Sequence, residues 1–403
     1  MDLSIIMAVF TCLVMPVAFY HFYTKENPLA RIWVKYMPIA SDDYFSFVLP
    51  AIAAMILGLR VPIGKRKVNK NPQQYLENAK KYLSTHNSLG PILIAMGVTS
   101  SFLDFLSPSN IEYVFYLIDH LTYVGVFYVI YSPSKRKKII VPSVILLMIG
   151  QSIITGMFGE FIFMLACSLV LILLGRKIKF QRKLAYAIAG ILLILVIQSI
   201  KLDYRKRSWL QGGGADPIYF AELISDRISD PSSMLEERTL FGTSVRMNQG
   251  WLVATTMKRV PEKYPYAYGE TIWKSVAAAI LPRFLWPDKP EAGGRANLKR
   301  FWGFNLVGYS MNIGPLGEAY GNFGVAGGIV YMFFYGLFFN LALSWILILS
   351  EKRPTIILWL PFLFFYAIGV ETDLLTTMGS LIKTAFFTWV VYRFFYIAFR
   401  IDL

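Results

Sequence analysis

Charge is scarce in this sequence. Only 16% of its 403 residues are Asp, Glu, Lys or Arg, against about 25% in a soluble domain. That deficit excludes an ordinary cytosolic enzyme. Cysteine is nearly absent: Cys12 and Cys167 both lie inside apolar runs, which excludes a disulfide framework. The three histidines are His21, His86 and His120. With no CxxC, no HExxH and no cluster of His with carboxylates, neither a transition metal nor another cofactor is expected. No internal repeat occurs. The opening Met1-Asp2 lacks the basic region of a signal peptide and no A-x-A site follows, so the first apolar run is expected to be retained. What the sequence has in excess is apolar surface: 56% hydrophobic residues and 16% aromatic, which excludes disorder. The apolar residues fall in blocks of about 16–25, the length that crosses a hydrocarbon core of ~30 Å. The expectation is an all-α polytopic membrane protein.

About ten crossings are expected, near 3–22, 44–60, 89–106, 111–131, 139–157, 160–175, 184–202, 322–349, 355–370 and 378–399. Residues 139–175 would overshoot the membrane as one helix, and Gly156, Gly159 and Glu160 predict a turn within them. Basic residues gather in alternate connections: Arg60 to Lys81, Lys135 to Lys138, Arg176 to Lys183, and Lys352 with Arg353. The positive-inside rule makes these cytoplasmic, with both termini inside and residues 203–320 outside. Lys25, Arg31 and Lys35 favour the opposite orientation for the first span, and the four later loops outweigh them. The organisation read from this pattern is an N-terminal bundle over 1–202, a long periplasmic loop over 203–320 and C-terminal spans over 321–403. Asp119, His120 and Lys383 lie inside apolar blocks, where an ionised side chain costs roughly 2.5–3.5 kcal/mol, so each needs a partner in the bundle, with snorkelling outward as the alternative for Lys383.

The long segment is a folded region rather than a linker. Ile272, Trp273, Val276, Ala277, Ile280, Leu281 and Phe284 form a helical stripe, and Leu240, Met247, Trp251 and Ala254 form a weaker one. Both suit helices lying on the membrane surface or against the bundle, with apolar faces down. Glycines at 212–214 and 293–294 mark joints. The segment also carries 15 Lys and Arg. A solvated basic surface accounts for many of them; convergence of several on a lipid-linked phosphate or diphosphate is the sharper reading.

Two motifs carry candidate chemistry. Leu281 to Pro290 (LPRFLWPDKP) holds Arg283, Asp288 and Lys289 between three prolines, with Arg295 shortly after; an interfacial turn with ordinary anchors is the plainer alternative. Gly314 to Gly324 (GPLGEAYGNFG) places Glu318, Tyr320 and Asn322 in a glycine-rich run that leads into an apolar helix. A carboxylate at the mouth of a bundle can serve as a general base, or it can favour a helix N-terminus through the dipole. Arg246 and Asn248, with Gln249 beside them, offer polar reach for a sugar. Arg205 and Arg207 follow the seventh span, near phosphate height, where they either meet a phosphate or simply anchor that span. Glu371-Thr372-Asp373 has the spacing of a metal-binding ExD, a weak match in a short loop.

Together, Pro-Arg-aromatic-x-Trp-Pro-x-Lys-Pro at 282–290 and Gly-Glu-x-Tyr-x-Asn-Phe-Gly-x-x-Gly at 317–327 resemble the bacterial O-antigen polymerases, the Wzy-type oligosaccharide repeat-unit polymerases. The many-span layout with one long outer loop is also similar. Arg283 and Gly294 match the Arg-x10-Gly pattern of that family. The resemblance implies a metal-independent C-type membrane glycosyltransferase in the bacterial cytoplasmic (inner) membrane. Its donor would be a glycan on undecaprenyl diphosphate, and its acceptor the next undecaprenyl-diphosphate-linked repeat unit. A chain-length regulator and a flippase would be its partners, with no role for nucleic acid. On this expectation Glu318 is the base, with Asp288 in reserve. Arg283 assists the leaving group, and Arg205, Arg246, Asn248, Lys289, Arg295, Tyr320 and Asn322 hold diphosphate and sugar. An O-antigen ligase shares the layout, although residues 203–320 lack the His typical of that family. A transporter or flippase of lipid-linked sugars is the non-enzymatic alternative, opposed by the absence of repeated halves. A membrane O-acyltransferase would rest on His120.

Overall fold

The computed structural model describes residues 1–21, 36–62, 72–103, 111–174, 179–210, 212, 214–234, 243–307, 310–401 and 403. Secondary structure among them is helical throughout, in line with the all-α expectation. In chain order the principal helices are α1 (Asp2–His21), α2 (Ser41–Arg60), α3 (Pro72–Thr85), α4 (Leu89–Leu103), α5 (Glu112–Tyr131), α6 (Lys137–Thr155), α7 (Gly159–Leu174), α8 (Phe180–Arg205), α9 (Pro217–Ser229), α10 (Gly250–Arg259), α11 (Glu270–Ile280), α12 (Arg295–Trp302), α13 (Gly314–Ser350), α14 (Pro354–Leu363) and α15 (Leu374–Phe399). Among the described residues seven helical stretches are long and apolar enough to cross a membrane: α1, α2, α5, α6, Leu184–Trp209, α13 and α15. Three shorter apolar helices, α4, Gly159–Val170 and α14, stand where the other expected spans fall. Lys25, Arg31, Lys35, the basic residues from Lys65 to Lys70, Arg176, Lys177, Arg238 and Leu240 lie outside the described residues.

The chain gathers into two compact units. The first comprises Met1–Val68, Ser244–Ile348 and Leu363–Phe399; the second comprises Asn69–Thr243, Leu349–Phe362 and Arg400–Leu403. The long segment is therefore shared, with α9 in the second unit and α10, α11 and α12 in the first.

In the first unit α2 and α13 approach backbone to backbone. α2 opens on Asp42 and Asp43 and closes on Arg60, the charge order that the helix dipole favours. A Cβ on Gly58 would overlap the Phe333 carbonyl oxygen and lie 2.7 Å from Leu337 N, and one on Gly336 would overlap the Met55 carbonyl oxygen. Small residues at such crossings let apolar helices gain dispersion contact over their whole length. Asn340 Nδ2 donates to the Gly58 and Val61 carbonyls at 3.2 and 2.8 Å, satisfying acceptors that a helix C-terminus leaves open. Asn340→Ala is expected to cost about 1–2 kcal/mol, read as a lower thermal midpoint of the detergent-solubilised protein by tryptophan fluorescence.

α13 is interrupted. Gly324 has φ 65° and ψ −156°, a conformation that only glycine holds without strain. The carbonyls of Gly321 and Asn322 accept instead from the amides of Ala267 and Tyr268, at 3.0 Å each. The glycine-rich run thus becomes a short helix ahead of the break.

In the second unit α4 packs on α5 through Gly97 and Gly125, whose added Cβ atoms would lie 2.6 Å from Thr122 N and 2.8 Å from the Gly90 carbonyl oxygen. Val126, Val144, Met148 and Phe161 join α5, α6 and α7. Phe158, Ile200, Tyr204 and Phe220 join α8 and α9, with the Phe158 and Phe220 rings stacked at 5.2 Å. The partner that His120 requires is Glu160, at 2.6 Å.

Candidate functional site

Polar side chains of the first unit converge where α11, α12, the short helix before Gly324 and the start of α15 meet. Glu318 is fully buried and Asp373 is 2% exposed. Asn297 lies between them, and its Nδ2 donates at 3.2 Å to Glu318 Oε1 and at 3.2 Å to Asp373 Oδ2. An amide nitrogen carries two hydrogens, one for each carboxylate. The Thr271 hydroxyl reaches Glu318 Oε1 at 3.4 Å and accepts from Asn322 Nδ2 at 2.7 Å. Asn322 also donates to the Glu318 carbonyl at 2.8 Å and accepts from the Gly269 N–H at 3.1 Å.

The carboxylates are tolerated here because they face a helix N-terminus. Leu374 N–H donates to Glu318 Oε2 at 2.8 Å, and Thr376 N–H donates to Asp373 Oδ1 at 3.0 Å. Both belong to the first turn of the 26-residue α15, whose dipole and open N–H groups favour negative charge. The dipole that Glu318 meets is therefore that of α15, not of its own helix. Burial still pushes the Asp373 carboxyl above the ordinary range, against the pull of its bonds to Thr376 and Asn297.

A cavity of about 120 Å³ opens onto Asn297 and Asp373, with Thr271, Ser275, Pro290, Ala296 and Leu375 in its wall and Glu270, Lys274 and Arg300 supplying charge. Glu318 does not line it and reaches it through Asn297. Lys274 bonds Glu270 at 2.5 Å and Arg300 faces the same carboxylate at 3.5 Å. The Lys274 bond holds the Glu270 carboxyl below its usual range. Arg300 also donates to the Pro265 and Tyr266 carbonyls at 3.1 and 3.2 Å.

The residues singled out from sequence divide into groups. Glu318, Tyr320 and Asn322 stand together, all buried, with the Tyr320 ring 5.2 Å from Phe47 and 6.1 Å from Tyr266. Arg283, Asp288 and Lys289 follow α11, and Arg295 opens α12. Glu291 joins two of them, meeting Arg283 at 3.4 Å and Arg295 at 3.5 Å, with all three side chains exposed. Asp288 is exposed as well. Lys289 closes the C-terminus of α11, donating to the Ala278 and Leu281 carbonyls at 2.7 and 2.6 Å. Desolvation and the Arg283 charge pull its ammonium below the ordinary range. Asn248 is fully buried and donates to Met37 Sδ at 3.6 Å. Arg246 is exposed, and its charge opposes the burial that pushes the Glu371 carboxyl up. Arg205 belongs to the second unit, where Nε donates to the Gly156 carbonyl at 2.8 Å and the guanidinium lies 4.3 Å from the Trp209 ring.

Asn297, Thr271, Lys274 and Arg300 lie outside the motifs that pointed to the site. Asp373 was visible only as half of the ExD spacing; the structure engages it with Asn297 and with the first turn of α15. Among the described residues no group of three or more His, Cys, Asp and Glu could hold a metal. Asn297 did leave a trace in the sequence. It falls on the apolar side of an otherwise basic helix, beside Leu298, Phe301 and Trp302, and all four are buried.

A family model described as a domain of unknown function, DUF8712, matches residues 39–350, well over half of the chain. The match takes in Glu318 and Asn297 and ends before Asp373. No curated protein and no solved structure matches the chain.

Proposed function

The chain belongs to the DUF8712 family, and we propose that it is a metal-independent membrane glycosyltransferase. On this reading it polymerises undecaprenyl-diphosphate-linked oligosaccharide repeat units into a surface polysaccharide, an O-antigen or a related glycan, at the outer face of the bacterial cytoplasmic membrane. The observation that carries the reading is the buried Glu318–Asn297–Asp373 arrangement beside a cavity that also presents Lys274 and Arg300.

The chemistry asks for two things. The acceptor hydroxyl must lose its proton as it attacks the anomeric carbon, and the breaking bond to diphosphate must shed its charge onto cations. Asp373, on the cavity wall, takes the proton. Glu318 fixes Asn297, and through it the aim of Asp373. Lys274 and Arg300 are the nearest cations. Arg283 and Arg295 hold Glu291 through long, exposed pairings, which a diphosphate can displace at little cost. Arg246 and Lys289 remain the further diphosphate ligands implied by the resemblance.

Deletion of the protein followed by gel analysis of surface glycan tests the reading. Loss of the polymerase leaves single repeat units attached to the surface, loss of a ligase leaves carrier-bound polymer, and loss of a flippase leaves neither. The second or third pattern overturns the proposal. Because burial raises the Asp373 carboxyl, transfer by the purified protein is expected to fall as pH drops through a value above the ~3.9 of a free Asp, where protonation removes the base. A rate that stays flat down to about pH 4 would take Asp373 out of this role.

A further inference from the structure

α5 is interrupted after Asp119, and the interruption sets the His120 ring, 5% exposed, against the start of α7. Both ring nitrogens meet oxygen. Nδ1 lies 2.7 Å from the Tyr116 carbonyl oxygen and Nε2 lies 2.6 Å from Glu160 Oε1. The Tyr116 hydroxyl donates to the same Oε1 at 3.0 Å. A carbonyl can only accept, so Nδ1 carries a hydrogen in every state. The second contact then counts protons. Without one between Nε2 and Oε1, two lone pairs face each other at a distance that neither tolerates. With one, on either side, the contact is a short charge-assisted hydrogen bond. The Glu160 side chain is 34% exposed, so the site is not sealed.

We propose that Tyr116, His120 and Glu160 form a proton-binding site, in which one proton shared by His120 Nε2 and Glu160 Oε1 holds the start of α7 to α5. The other groups that act on the ring are Asp119, one residue earlier, and Tyr123, whose ring centroid is 5.5 Å away. Phe362 of α14 covers the ring at 5.5 Å. α4, packed on α5, has no ionisable residue. Apart from Glu160, α7 carries only the Cys167 thiol; the charged residues of α3 are Glu77, Lys80 and Lys81, and those of α6 are Lys137 and Lys138. His120 has no nitrogen left for a substrate, so this is a site for a proton and not for acyl transfer. The proposal does not depend on the glycosyl-transfer reading.

The test uses the full-length protein in lipid nanodiscs with 15N-labelled histidine. The chain has three histidines, so a His21→Gln/His86→Gln background reports His120 alone. Nδ1 is expected to stay protonated throughout, while Nε2 changes occupancy in one step over a titration run from about pH 4 to about pH 10. Glu160→Gln and Tyr116→Phe are expected to move that step by about one pH unit or more. Amide exchange at Phe161 and Ile162 is expected to quicken on the deprotonated side. A ring whose proton occupancy stays constant across that range overturns the proposal, and so does a midpoint that Glu160→Gln leaves in place. If Glu160→Gln fails to fold, the titration of the parent protein and the Tyr116→Phe shift decide the matter.

Discussion

Polymer is expected to disappear from the surface when Asp373 is replaced by Asn, with the rate falling by about 10²- to 10⁴-fold, the usual worth of a positioned general base. The substitution is chosen to spare the fold. The carbonyl oxygen of the introduced amide can still accept from Thr376 N–H, the bond that Asp373 makes at 3.0 Å, so α15 stays capped. The amide nitrogen, however, faces Asn297 Nδ2, donor against donor, where the parent has a 3.2 Å bond. Exchanging the pair, Asn297→Asp with Asp373→Asn, together with Glu318→Gln, restores the match, because the carboxylate at 297 then accepts from both amides, and it moves the charge across the cavity wall. Folded protein without polymer in the exchanged variant assigns the chemistry to position 373. Polymer restored to the parental level would show that a carboxylate anywhere on the wall suffices, which denies Asp373 its specific part. Glu318→Gln is expected to spare more of the rate and to cost more folded protein, because Glu318 accepts from Leu374, Asn297 and Thr271 yet does not reach the cavity. Quantitative blotting of tagged protein beside the glycan ladder separates the two effects.

The second large effect concerns assembly. Gly58→Leu is expected to abolish recovery of monodisperse protein after detergent extraction, and Gly336→Leu to do the same. Over-packing a core by side-chain movement costs typically 1–3 kcal/mol. Here the obstacles are the Phe333 and Met55 carbonyl oxygens, backbone atoms that cannot rotate away, so α2 and α13 would have to separate. The cost then takes a large share of the 5–15 kcal/mol that holds a typical native state together. Gly58→Ala should give a graded loss on size-exclusion chromatography. A normal elution profile for Gly58→Leu would mean that the helices do not pack this closely.

The helices were legible because crossing a hydrocarbon layer demands unbroken apolar runs. Among the described residues seven long and three shorter apolar helices occupy the stretches read as spans. Glu318, Tyr320 and Asn322 were legible because a glycine-rich run before an apolar helix is unusual. The partners were not. Asn297 bonds Glu318 across 21 residues and Asp373 across 76, and His120 meets Glu160 across 40. No local spacing encodes such pairs; helix packing does. Lys289 illustrates the converse. Its motif offered a cation, and the structure shows that cation closing the end of α11.

The break at Gly324 also bears on how the family can vary. Ala267 and Tyr268 take the two carbonyls it releases, so the chain ahead of α11 is laced to α13 by two rungs, and two rungs fix a register. Length can change before Pro265 without disturbing that register. One residue inserted between Tyr268 and Thr271 would slide the threonine hydroxyl off both Asn322 and Glu318, so indels among relatives should cluster upstream of the lacing and stop there.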